Sequence, residues 1–188
     1  MGAAAVLVLS LGRAAALRLR VPDELAGSAF AASLLVLSLA IPSVRGALLR
    51  APRPSALAVG AAVGGVLLLP GAVIHGLGPV TAPGLGAVLG PGHLPVWAAL
   101  IALVSLAEEV ALRGWLQPLA RQAFGPPAAI IVIALVFAAI HAGTYGWIAM
   151  PLDFGVGVLL GCLRESTRSV AACGVAHFVA DIGRWWLP

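Results

Sequence analysis

The chain has no lysine. All eleven of its basic residues are arginine, and only 10% of its 188 residues are charged. A soluble domain carries about 25% charged residues. With 61% of residues hydrophobic and a mean hydropathy of +1.07, this shortage excludes a soluble domain. It points to an integral membrane protein, with a length that suits a single domain over 1–188. The arginines fall mostly between apolar runs, as topology signals do, so the implied partner is the lipid bilayer and not nucleic acid. Cysteine is also scarce. Cys162 and Cys173 lie in apolar runs and read as small buried hydrophobes, with no disulfide framework. A positive segment ahead of the first apolar run is missing, because Arg13, Arg18 and Arg20 follow Met1–Leu11. That argues against a cleaved signal peptide and for a short or interfacial first helix over Ala3–Leu19. Abundant Ala, Gly and Arg without Lys fits a GC-rich genome, and the expected location is a bacterial inner membrane.

The expected fold is all-α, a polytopic transmembrane bundle of about six to seven helices. Val21-Pro22-Asp23-Glu24 breaks the chain and starts a span over Leu25–Val44. Arg45, Arg50 and Arg53 sit in a Pro-containing loop, and Ser55 is the expected N-cap of a span over Ala56–Leu77. Gly60 and Gly64 there have the spacing of close helix approach. Gly78–Pro95 reads as a loop or re-entrant turn. Val96–Leu116 is the central helix, expected to stop near Pro118, with a short turn over Arg121–Pro127. Ala128–His141 follows, then a turn over Ala142–Trp147 with interfacial aromatics. Met150–Leu163 carries Gly157 and Gly161, and Arg164, Glu165 and Arg168 form a charged turn. Ser169–Trp186 is the last helix, its end anchored at an interface by Arg184, Trp185 and Trp186. The basic loops recur after every second span and are mutually consistent if all face the cytoplasm.

Three polar sets interrupt the apolar helices: Glu108-Glu109 with Arg113, Phe137 with His141, and His177 with Asp181. A carboxylate at mid-bilayer costs roughly 2.5 kcal/mol or more. A structural ion pair with Arg113 accounts for one acid but not two. Glu109 and Arg113 are four apart and share a helix face, whereas Glu108 points about 100° away. The arginine therefore neutralises Glu109 and leaves Glu108 for something else. Polar residues in membrane helices face the bundle interior or a water cavity. Three helices presenting Glu, His, and His plus Asp to one interior hold the parts of a hydrolytic site: a base for water, imidazoles for a metal or an oxyanion, and a supporting carboxylate. Cys173 lies four before His177, but a buried apolar thiol is normally inert. His75 and His93 read as interfacial, Asp153 as a helix-terminal acid, and Glu165 as a solvated loop charge.

The trio EExxxR, FxxxH and HxxxD, in this order, resembles the CPBP family of intramembrane proteases, which includes the type II CAAX prenyl endopeptidases and the Abi proteins. The flanking stretches EEVALRGWLQPL, FAAIH and GVLLGCLRESTRSVAACGVAHFVAD extend the resemblance, which covers a core of about 96–182. It implies that Glu108 is the general base and that His141 binds or polarises the attacking water. His177 and Asp181 fall at positions associated with an oxyanion or a metal, and Glu109, Arg113 and Phe137 support the site. The family commonly has Asn where this chain has Asp181. An ionised Asp only accepts hydrogen bonds, which favours a metal-ligand or His-orienting role. Glu108, His141, His177 and Asp181 would be the ligands of Zn2+ or another divalent metal, although Glu and His can also activate water unaided. The implied partner is a membrane-embedded or lipidated peptide: a C-terminal sorting helix, a leader or a lipidated end. Two other classes share the pattern, a non-catalytic scaffold or immunity protein and a proton-coupled transporter. The short chain with no convincing inverted repeat argues against the transporter.

Overall fold

The computed structural model describes residues 2–48, 50–69 and 90–186. Among these residues the chain is all-helical, with no strand. Helix α1 is Gly2–Arg18, α2 Asp23–Leu39, α3 Pro42–Leu48 and α4 Pro54–Leu67. A single-turn helix, Pro91–His93, leads into α5, Leu94–Glu109. The helix then widens into a π segment, Val110–Leu116, and continues as α6, Gln117–Phe124. Helix α7 is Pro126–Tyr145, α8 Met150–Thr167 and α9 Val170–Ile182. Proline occupies the first turn of α4 to α8, where its missing N–H has no intrahelical partner to lose. The tight connection at Gly125 (φ +78°) ends α6 and starts α7, a conformation that costs glycine little.

Several sequence expectations change here. The expected span over Leu25–Val44 is broken, with α2 and α3 meeting at 108°. Pro42 cannot donate to the helix and its ring crowds the preceding turn. The freed Leu39 carbonyl accepts instead from Arg45 Nη1 at 2.8 Å. Ser55 is not an N-cap, because α4 begins one residue earlier at Pro54 behind Arg53. The expected end of that span near Leu77, most of the Gly78–Pro95 loop and His75 lie outside the described residues. His93 is exposed in the turn before α5.

The central helix does not stop near Pro118. Gln117 N–H reaches back five residues to Leu112 O, and this wider turn relieves the clash that Pro118 would make in a regular helix. Arg121 is therefore helical, Ala142–Tyr145 extends α7, and Arg164 and Glu165 belong to α8. The last helix ends at Ile182, and Trp185 is not an interfacial anchor. It is buried, 5.3 Å from Trp97 between ring centres.

Among the described residues three helices are long and apolar enough to cross a membrane: Pro91–Phe124, Pro126–Tyr145 and Trp147–Thr167; the bent α2–α3 pair makes a fourth if counted as one span. Their length and apolar composition are those of an integral membrane protein. Glu108 lies near the middle of the 34-residue Pro91–Phe124 rod. Helix α7 packs on α8, α9 fits between α4 and α5, and α1 and α2 cover α7 and α5. The close approaches come from glycine. A Cβ on Gly60 would stand 2.4 Å from Ala172 O, and one on Gly64 2.7 Å from Ala176 O, so α4 lies directly on the backbone of α9. Gly157 likewise lies against Ala134 and Gly161 against Ile130.

This contact generates a paired prediction. Gly60→Ala lowers stability by about 1–3 kcal/mol, because backbone must move. Gly65→Ala, where nothing lies within 4 Å, leaves the midpoint unchanged or higher. Thermal unfolding of the purified protein in detergent checks both.

Candidate active site

Arg113 and Glu109 are completely buried, with Nη1 2.9 Å from Oε1. Arg113 Nη2 donates to Gly157 O at 3.1 Å, and the guanidinium lies 4.9 Å from the centre of the Phe137 ring. One turn on, Gln117 Nε2 donates to Gly161 O at 3.1 Å. Two side chains four apart on the central rod thus reach two glycine carbonyls four apart on α8. From the end of α8, Arg164 Nε donates to Arg113 O at 3.0 Å.

Glu109 Oε1 also accepts from His177 Nδ1, at 3.1 Å. Because Nδ1 carries that proton, His177 Nε2 is left facing inward, 3.8 Å from Glu108 Oε2 and 3.4 Å from Asp181 Oδ2. His141 is arranged in the same way. Its Nδ1 lies 2.8 Å from Phe137 O, and a carbonyl only accepts, so Nδ1 is the protonated nitrogen. Nε2 then faces Glu108 Oε2 at 3.7 Å. Phe137 packs against both imidazoles, 4.3 Å from His141 and 5.4 Å from His177 between ring centres, and Tyr145 stacks on His141 at 5.7 Å.

One ligand atom from each of Glu108, His141 and His177 lies within 4.8 Å of the other two. Their separations are too long for direct hydrogen bonds. The two Glu108–His distances, 3.7 and 3.8 Å, are about half an ångström longer than the roughly 3.3 Å that separates neighbouring ligands around a tetrahedral ion bound at about 2.05 Å. Both histidines give Nδ1–H to an acceptor, the usual support of a metal-binding imidazole. The donor set therefore fits a divalent ion as well as a water. Asp181 is half-exposed, and its Oδ2 accepts from Ser105 Oγ at 3.3 Å. A cavity of about 10 Å3 opens beside Glu108 and His141, walled by Ser10 and Arg13 of α1, Phe30 of α2, and Thr144 and Tyr145. That volume holds about one water.

The family model described as type II CAAX prenyl endopeptidase Rce1-like matches residues 90–183. The chain belongs to this family. No curated protein and no solved structure matches it. Membership makes it a CAAX-type protease by lineage. The matched region runs from the turn before α5 through the end of α9 and contains every polar residue of the three motifs. Helices α1 and α2 lie outside it, yet they close the cavity over Glu108.

The seven site residues singled out in the sequence converge as three helices would allow, with Phe137 among them. Other participants were not legible. Gln117 and Ser105 sit in apolar runs without a motif. Asp153 is not simply a helix-terminal acid, since its Oδ2 is buried without a hydrogen bond, within electrostatic reach of His141, Asp181, Glu108 and His177. Glu165 is not a free loop charge. It contacts Arg121 at 3.3 Å, Arg168 at 3.6 Å and Gln117 at 3.3 Å. The signal for Gln117 was its spacing, four after Arg113, matched by Gly157 and Gly161. Cys173 is no nucleophile in this arrangement; its Sγ faces Leu160 O and Ser169 O.

Removing Arg113 strands Glu109 as an unpaired buried charge. Arg113→Met is expected to cost about 3–5 kcal/mol. The double variant Glu109→Gln/Arg113→Met recovers part of that loss, because no charge is then left unpaired. Unfolding free energies of the wild type, both single variants (Glu109→Gln and Arg113→Met) and the double variant measure the coupling.

Proposed function

We propose that this chain is an intramembrane endopeptidase that hydrolyses a peptide bond with a water activated by Glu108. The observation that carries the reading is the meeting of Glu108, His141 and His177, each from a different helix, with a cavity the size of one water beside Glu108 and His141. The Glu108 carboxylate is buried against two imidazoles. A carboxylate so placed accepts a proton from water as the oxygen attacks the substrate carbonyl, and returns it to the leaving amine. His141, with Nδ1 held by its own helix, presents Nε2 to that water. His177, held at Nδ1 by Glu109, presents Nε2 to the reacting centre. Protonated there, it donates to the oxyanion; bare, it is a ligand.

Asp181 stands beside His177 Nε2, away from the nitrogen that Glu109 holds. Its role is to position that edge of the site together with Ser105, and Glu109 is the residue that orients His177. A divalent ion would be held by Glu108, His141 and His177, with Asp181 next to it, and would supply Lewis-acid polarisation.

The substrate is a membrane-held segment: a C-terminal sorting helix, a leader or a lipidated end. The depth of Glu108 along the Pro91–Phe124 rod supports a scissile bond buried in or near the bilayer, reached laterally. The same buried acid and imidazoles would serve a proton relay. The match to a protease family favours hydrolysis.

Glu108→Gln is the decisive variant, since it keeps shape and removes the base. Cleavage of membrane-embedded candidate peptides by the purified protein in vesicles is expected to fall by about 10²–10⁴-fold. Unchanged cleavage would overturn the proposal. Metal content tests the ion separately. The wild-type chain is expected to retain about one divalent ion under mass spectrometry, and His141→Ala/His177→Ala to lose it. A metal-free protein that still cleaves removes the ion and keeps Glu108 as base.

A further inference from the structure

Away from the catalytic residues, where α8 ends and α9 begins, the structure has a cavity of about 670 Å3. Its walls carry four arginines from separate stretches of chain: Arg50 and Arg53 from the connection before α4, Arg164 from the last turn of α8, and Arg168 from the α8–α9 connection. Ala56 and Val170 contribute apolar wall between them. We propose that this cavity binds a phosphate-bearing anion at the membrane surface.

Loop arginines are expected at one face of a membrane protein to set topology, but topology does not require them to line one cavity. Their charge is also largely uncompensated. The carboxylate bonded to this group among the described residues is Glu165, which contacts Arg168 at 3.6 Å and is shared with Arg121 at 3.3 Å and Gln117 at 3.3 Å. No carboxylate of the described residues bonds Arg50, Arg53 or Arg164. Arg164 is held in place by its Nε bond to Arg113 O at 3.0 Å, which leaves its terminal nitrogens for a ligand.

Arg168 ends α8 with φ +57°, a conformation that glycine adopts at lower cost. A non-glycine residue held there signals a use for the side chain. Arginine forks match phosphate oxygens in paired hydrogen bonds. The volume is in the range of small-ligand sites. Two sources share this chemistry: the headgroup of an anionic phospholipid and a soluble phosphate. Basic pockets between membrane helices take the former, and the apolar wall suits the start of an acyl chain.

The test uses the full chain in nanodiscs of phosphatidylglycerol or phosphatidylcholine, with lipid retention read by native mass spectrometry and stability by thermal unfolding. Phosphatidylglycerol is expected to be retained and to raise the midpoint, and phosphatidylcholine is not. Arg50→Gln/Arg53→Gln, in an exposed connection, should weaken retention by roughly 10- to 30-fold, taking about 1 kcal/mol per arginine. Arg168→Gln repeats the test from the opposite wall, and Arg121→Gln, outside the cavity, should change nothing. Inorganic phosphate that displaces the lipid and reproduces the shift assigns the site to soluble phosphate; failure to displace it assigns the headgroup. Equal retention of both lipids, retention of neither with no shift from phosphate, or an undiminished affinity in both arginine variants overturns the proposal.

Discussion

The Glu109–Arg113 pair is the constraint on which the rest depends. Both groups are entirely removed from solvent, and burying two charges costs several kcal/mol each unless partners replace water. The partners are supplied by three neighbouring helices: the Gly157 carbonyl on α8, the Phe137 ring on α7, and His177 Nδ1 on α9. Satisfying one ion pair therefore fixes how α5, α7, α8 and α9 meet. Glu109 Oε1 serves both Arg113 and His177, so the group that secures the bundle also aims an imidazole at Glu108.

The π segment is the local device that makes this possible. Directly after the two acids, Val110–Leu116 turns more widely than a regular helix. The change in register lets Arg113 and Gln117 face the glycine carbonyls of α8 while Glu108 stays turned toward the imidazoles. It also carries the rod past Pro118 and keeps α6 in line. π turns interrupt α-helices most often at functional sites, and here one follows directly on Glu108 and Glu109 and carries Arg113. The thin glycine faces of α8 do the complementary part, because larger side chains there would keep α7 at a distance.

The two ends of the molecule differ in kind. One gathers arginines around a polar cavity; the other carries Tyr145, the exposed Trp147 and the cavity that reaches Glu108. The family match stops short of α1 and α2, yet Ser10, Arg13 and Phe30 help to close the cavity beside Glu108 and His141. The polar residues of the three motifs thus belong to the matched half of the chain, and part of the cavity wall beside them belongs to the other half.

Much was legible in sequence because a charge within an apolar run is costly and so stands out. Composition settled the all-helical membrane fold, and the three motifs marked Glu108, Glu109, Arg113, Phe137, His141, His177 and Asp181. The four-residue spacing of Glu109 and Arg113 correctly paired them, since helix geometry alone governs neighbours on one helix. Gln117, Ser105 and Asp153 escaped because their partners lie on other helices, and no local pattern records them. The break at Pro42 and the passage through Pro118 also escaped. Proline marks a lost hydrogen bond, but whether the chain bends or widens depends on what packs against it. Sequence determined which ionisable groups are buried in the apolar interior; tertiary packing alone decided which atoms of those groups face one another, because those distances are set between helices and not along them.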